Sequence, residues 1–145
     1  MKNLLVLTVI LCSVFIACKS TKNTATTPAT ADPTKLTGTW ELNFITASRV
    51  AFNDLYPHKK PAITFNVTEG KINGNTGCNT FLGSLNVNGN KIDFSDPLAL
   101  TRMACQGQGE TVFLESLKKV DTYSIDGKKL SFMSGGTETM RFEKK

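Results

Sequence analysis

The sequence predicts a mainly β domain, one antiparallel barrel-like sheet with a single α-helix, preceded by a signal peptide and a disordered tether. Three observations predict it. Apolar residues recur at every second position through much of residues 36–142, the period of strands with one wet face. Four pairs fall between those runs, Glu69-Gly70, Asn88-Gly89, Asp126-Gly127 and Gly135-Gly136, where glycine supplies the positive φ of tight hairpin turns. One segment, Glu110 to Val120, changes to spacings of three and four.

From the N-terminus, Lys2 gives a positive start and Leu4 to Ile16 is almost purely apolar, too short to span a bilayer. The run closes on Phe15-Ile16-Ala17-Cys18, a small residue followed by a cysteine. It resembles the lipobox of bacterial lipoproteins, in which the thiol is acylated and the peptide is cut just before it. Phe15 stands where leucine is usual. The resemblance implies a signal peptide over residues 1–17, lipid on Cys18 and an address outside the cytoplasm. The alternatives are an ordinary cleavable signal with a chance cysteine, or a short uncleaved anchor. Lys19 and Ser20 carry no acidic mark of inner-membrane retention, so the expected place is the outer membrane, facing the periplasm. Residues 18–35 read as the lipidated cysteine and a flexible linker. Ser20 to Pro33 holds no large apolar residue and cannot bury enough surface to offset its ordering entropy.

The domain then spans residues 36–145. Trp40, Leu42 and Phe44 alternate with Thr39, Glu41 and Asn43, and Ile63, Phe65 and Val67 with Thr64 and Asn66. Leu85 and Val87, Ile92 and Phe94, Tyr123 and Ile125, Leu130 and Phe132, and Met140 and Phe142 continue the pattern. Closing such a meander into a barrel or sandwich shields its edges. In the helix, Phe113, Leu117 and Val120 form one apolar stripe with Leu114 beside it; Glu110 lies in the first turn and Lys118-Lys119 in the last, which suits the helix dipole. Residues 47–61 form a longer irregular connection with Pro57, Pro61 and Tyr56.

The net charge of +5 over 145 residues is mild, and the lysines are scattered or paired at turns. No run is dense enough for a nucleic-acid arm, so nucleic acid is not expected as a partner. Cys12 lies in the leader and Cys18 would carry lipid, which leaves Cys78 and Cys105. In an oxidising compartment these two are expected to form a disulfide, contributing roughly 3–4 kcal/mol by loop-closure entropy. Two buried free thiols, or a metal site, are the alternatives. For a metal, the one histidine, His58, is distant in sequence and no C-x-x-C spacing exists.

The ordered motifs carry a family likeness: Leu36-x-Gly38-x-Trp40, then Gly77-Cys78-Asn79-x-Phe81-x-Gly83, then Thr101-Arg102-Met103-Ala104-Cys105, then Glu110-x-x-Phe113-x-x-x-Leu117 and Tyr123. Over about residues 35–142 the chain resembles the META domain, the family that includes the heat-inducible HslJ-like lipoproteins of bacterial envelopes. Gln106-Gly107-Gln108-Gly109 is a glycine-rich departure. The resemblance implies a small antiparallel β-barrel-like domain with one helix and an envelope location tied to stress, and no established catalytic activity.

Gly77-Cys78-Asn79 and Thr101-Arg102-Met103-Ala104-Cys105 are the candidate constellation. If they meet, Asn79 and Arg102 present donors to a ligand or partner, and a guanidinium fork suits a carboxylate or phosphate. The structural alternative has Asn79 bonding local backbone in a tight turn and Arg102 pairing with a carboxylate. Catalysis is not expected. A thiol nucleophile wants an activating histidine, and His58 lies in a Pro-rich loop beside Lys59-Lys60. No Gly-x-Ser-x-Gly elbow and no Gly-Lys-Ser/Thr phosphate loop occurs. Asp93 and Asp96 flank a turn. No cofactor and no metal are expected. The expected product is a monomeric, lipid-anchored interaction or stress-maintenance module whose partners are the membrane and an envelope protein or small ligand. A barrel binding a small molecule or lipid is the alternative, and a thiol-based enzyme a more remote one.

Overall fold

The computed structural model describes residues 32–46 and 49–145. Cys18, the signal peptide and most of the tether lie outside the described residues. The first described element is a 3₁₀ turn, Pro33–Leu36, capped by Asp32, whose carboxylate accepts the Thr34 N–H at 3.0 Å. It overlaps the end of the segment read as linker, because Leu36 is fully buried and its carbonyl accepts the Trp40 indole N–H at 2.6 Å.

Ten antiparallel strands follow: β1 (Gly38–Ile45), β2 (Ala62–Asn66), β3 (Lys71–Asn75), β4 (Thr80–Ser84), β5 (Asn86–Asn88), β6 (Lys91–Asp93), β7 (Ala99–Leu100), β8 (Thr122–Asp126), β9 (Lys129–Ser134) and β10 (Thr137–Lys144). They form one sheet in the order β5-β6-β8-β9-β10-β1-β2-β3-β4-β7. Two short meanders are thus joined at the centre by the pairing of β1 with β10. Gly70, Gly89, Gly127 and Gly135 hold positive φ in the turns where the sequence placed hairpins.

The sheet curls. Phe65 of β2 and Phe132 of β9 are three strand steps apart, about 14 Å if the sheet were flat. Their rings meet edge-on at 6.4 Å, so the inner faces oppose each other as in a barrel wall. Trp40, Phe65, Phe132, Phe142 and Leu130 are fully or almost fully buried inside. The main helix, α2 (Gly109–Leu117), lays Phe113 and Leu117 into the same core, with Phe113 at 6.1 Å from Phe81. It ends at Leu117, so Lys118 is its C-cap rather than part of its last turn. No helix among the described residues is long and apolar enough to cross a membrane.

Two local features differ from the sequence reading. A bulge between Leu42 and Phe44 shifts the β1–β10 register. The extra residue turns Ile45 into the core and Phe44 outward, where its ring lies under the Arg141 guanidinium at 4.9 Å. The connection read as irregular holds a second, one-turn helix, α1 (Phe52–Leu55), whose Leu55 is buried.

Candidate functional site

β3 and β4 are joined by Thr76-Gly77-Cys78-Asn79, a turn closed by the Thr76 N–H donating to the Asn79 carbonyl at 2.8 Å. Gly77 has φ +93° in this turn, a conformation that side chains resist. A second segment, residues 101–108, runs from β7 to α2 along the same end of the sheet. A disulfide between Cys78 and Cys105, Cα atoms 6.0 Å apart, joins the two segments.

Asn79 sits beside the bridge, 2 % exposed. Its Oδ1 accepts the Met103 N–H and the Thr101 hydroxyl, each at 2.8 Å. Its Nδ2 donates toward the Met103 carbonyl and the Glu110 carboxylate, each at 3.2 Å, and lies 3.0 Å from Cys105 Sγ. The contacts with both the N–H and the carbonyl of Met103 copy what a neighbouring strand would offer. One side chain therefore extends the sheet two residues past the last ladder bond of β7, the Thr101 N–H to Thr80 carbonyl at 3.0 Å.

Glu110 completes the cluster from the first turn of α2. Its Oε2 accepts the Thr76 hydroxyl at 2.5 Å, and its Oε1 receives the Asn79 amide. The Thr76 oxygen in turn accepts the Asn79 N–H at 3.0 Å. The carboxylate thus ties the helix N-terminus to the β3–β4 turn, besides any favourable interaction with the helix dipole.

Tyr56 closes one side. Its hydroxyl donates to the Gly109 carbonyl at 2.9 Å, and its ring packs so closely on Gly77 and Gly109 that a Cβ at either would come within 2.9 Å of it. Burial pushes the phenol well above its ordinary pKa, so it stays a neutral donor. Between this loop and the bridge lies a cleft of about 310 Å³, with Tyr56, His58, Lys59, Met103 and Glu110 among its walls.

The structure brings Cys78, Asn79 and Cys105 together and leaves Arg102 exposed on the rim segment. Asn79 bonds the distant Met103 backbone and Thr101 hydroxyl, and among the described residues Arg102 pairs with no carboxylate. Sequence reasoning missed Thr76, placed Thr101 in the constellation without a role, and gave Glu110 a place in the family motif and a dipole role only. The signal was the polar pattern Asn75-Thr76-Gly77-Cys78-Asn79, too many polar residues for a turn that exposes them all.

The META domain matches this chain over residues 34–145. The chain belongs to the META domain family. A comparison with curated proteins finds no match. Among solved structures, this META domain is similar to a protein from Burkholderia xenovorans determined by NMR, with TM-score 0.60 and 22 % identity over 81 % of this chain and 91 % of that one. It is also similar to a DUF4847 family protein from Bacteroides vulgatus, with TM-score 0.51 and 18 % identity over 74 % and 92 % of the two chains. At these identities the likeness is one of fold.

Chemically, the META-domain cluster is a brace. Cys78, Cys105 and Glu110 each place a potential ligand atom within 4.8 Å of the others, but sulfurs bonded to each other are not thiolate ligands. Among the described residues, the exposed donors at this end include the cations of Lys59 and Arg102 and the imidazole of His58.

Proposed function

We propose that this chain is a lipid-anchored envelope protein whose META domain is a non-catalytic interaction module serving envelope maintenance under stress. One observation carries the reading: the polar cluster is saturated from within. The two thiols bond each other, and the Asn79 amide and Glu110 carboxylate hold the neighbouring turn and loop. Groups so arranged fix a surface, and thiols bonded to each other offer no nucleophile. The interior supports the same reading, because large side chains such as Trp40, Phe65 and Phe132 fill it. The anchor rests on the lipobox ending at Cys18 and the polar stretch after it. A small anionic ligand is a second reading, favoured by His58 and Lys59 lining the cleft beside the bridge.

Photo-cross-linking in whole cells tests both, with the reactive residue placed in turn at exposed positions around the domain. A reproducible adduct with one envelope protein is the expected result. Retention of a small molecule on the purified protein in native mass spectrometry, with no protein adduct, would replace the first reading by the second. Turnover of a thiol or ester substrate that is lost in Cys105→Ser would overturn the non-catalytic assignment.

A further inference from the structure

β7 is an edge of the sheet. Its inner side is paired beyond its own two residues, through the Thr101 N–H to Thr80 and Met103 to the Asn79 amide. Thr101 and Met103 therefore face the sheet, and antiparallel alternation turns the N–H and carbonyl of Leu100 and Arg102 outward. Among the described residues no hydrogen bond reaches those outward groups. Next to this bare edge is an apolar hollow of about 300 Å³ between residues 94–100 and α2. Phe94, Leu98, Leu100, Leu114 and Leu117 line it, with Lys118 and Asp96 at its rim. Asp96 is held by the Asn86 amide at 2.9 Å, while neither Lys118 nor Arg102 has an ion-pair partner among the described residues.

We propose that the groove between β7 and α2 binds an extended segment of a partner protein, which pairs with Leu100–Arg102 as an added strand, seats one large apolar side chain in the hollow and offers a carboxylate to Arg102 or Lys118. The inference rests on the interaction-module reading and gives it a place and a partner chemistry. Strand addition draws affinity from main-chain bonds and specificity from a side-chain pocket. Here the pocket is apolar, with Lys118 and the Asn86-bound Asp96 at its rim and the unpaired Arg102 two residues along the edge from Leu100. Two cations therefore face one carboxylate, and charge complementarity selects an acidic, apolar segment over a basic one. Arg102 is two residues beyond Leu100 on the same side of the extended chain, so its guanidinium lies along the path of such a guest. The asparagine brace sets the span: by holding Met103, it keeps residues 99–103 extended with nothing bound.

The test uses the full chain in detergent and two fluorescent acetylated octapeptides, one alternating valine or leucine with aspartate and one with lysine in place of aspartate. Anisotropy is expected to show at least ten-fold tighter binding of the aspartate peptide. Hydrogen exchange of the Leu100 and Arg102 amides is expected to slow on binding. Arg102→Glu combined with Lys118→Glu should reverse the peptide preference. Leu100→Pro, which removes an outward N–H of the edge strand together with one apolar wall of the hollow, should weaken binding at least five-fold. Equal binding of both peptides, or exchange slowed only around Met103 and Cys105, would overturn the proposal. Self-association abolished by Leu100→Pro would make a second copy the occupant and overturn it as well. In cells, a cross-linker at Lys118 that captures nothing while one elsewhere captures a partner rejects this groove alone; capture from no position rejects the interaction reading itself.

Discussion

Replacing Asn79 with alanine removes the brace while leaving the disulfide in place. Two contacts of its Oδ1 at 2.8 Å and one of its Nδ2 with the Met103 carbonyl at 3.2 Å are neutral hydrogen bonds, and the contact with Glu110 at 3.2 Å is charge-assisted. At about 1 kcal/mol for each neutral bond and about 1.5–3 kcal/mol for the charged one, the gross loss is roughly 4.5–6 kcal/mol. Thr101 and Met103 are exposed, so water replaces part of that. Glu110 is only partly exposed and recovers less. The expected net cost is about 3–4 kcal/mol. For a domain of roughly 110 residues this lowers Tm by about 13–17 °C. Thermal and urea melts measure the cost, and hydrogen exchange at the Met103 amide locates it. Asn79→Asp is expected to be at least as costly, because it sets a second carboxylate against Glu110. A loss below about 1 kcal/mol, or unchanged exchange at Met103, would refute the argument that this side chain acts as a surrogate strand.

Reduction of the disulfide, whose cysteines are 27 residues apart, is expected to cost about 3.5 kcal/mol on the chain-entropy argument; calorimetry with and without reductant checks this, with Cys78→Ala/Cys105→Ala as the variant that reductant no longer affects. Gly77→Ala should cost about 2–3 kcal/mol, since φ is +93° and the new Cβ would stand 2.9 Å from the Tyr56 ring and 3.0 Å from the Lys59 carbonyl; a urea midpoint equal to that of the parent would contradict it. Hydrogen bonds from Arg141 and Ser131 hold the Glu138 carboxyl down at about 2, against an ordinary 4.5. A lowered folded-state pKa stabilises above the unfolded value and is lost as pH falls through the folded one. Stability measured from pH 5 down to pH 2 should therefore fall less steeply in Glu138→Gln than in the parent.

Most of the sheet was legible because its signals are local. A hairpin needs positive φ at its turn, and Gly70, Gly89, Gly127 and Gly135 announce it without reference to the rest of the molecule. Alternation likewise reports Ile63 and Phe65, Leu130 and Phe132, and Met140 and Phe142, all buried as their period requires. β3 and β4 were not legible: Lys71-Ile72-Asn73-Gly74-Asn75 has one apolar residue, and Gly74 is required because a Cβ there would sit 2.0 Å from the Ala62 carbonyl oxygen. Phe44 was misread because a bulge depends on the partner strand, and periodicity counts only one strand. At the site, cysteines and Asn79 stand out by type, whereas Glu110 is an ordinary helix-start residue until folding brings it across 31 positions of sequence to the Asn79 amide. Its role was not readable from spacing.

The central pairing of β1 with β10 has a temporal meaning. Synthesis delivers one of these neighbours first and the other last, and Trp40 meets Lys144 only when the final strand has been made. Until then the half built from β1 to β4 exposes a hydrophobic seam and β8–β9 has no anchor on it. Non-local closure of this kind sets the joining of the two meanders after both have been made, and makes that step slow.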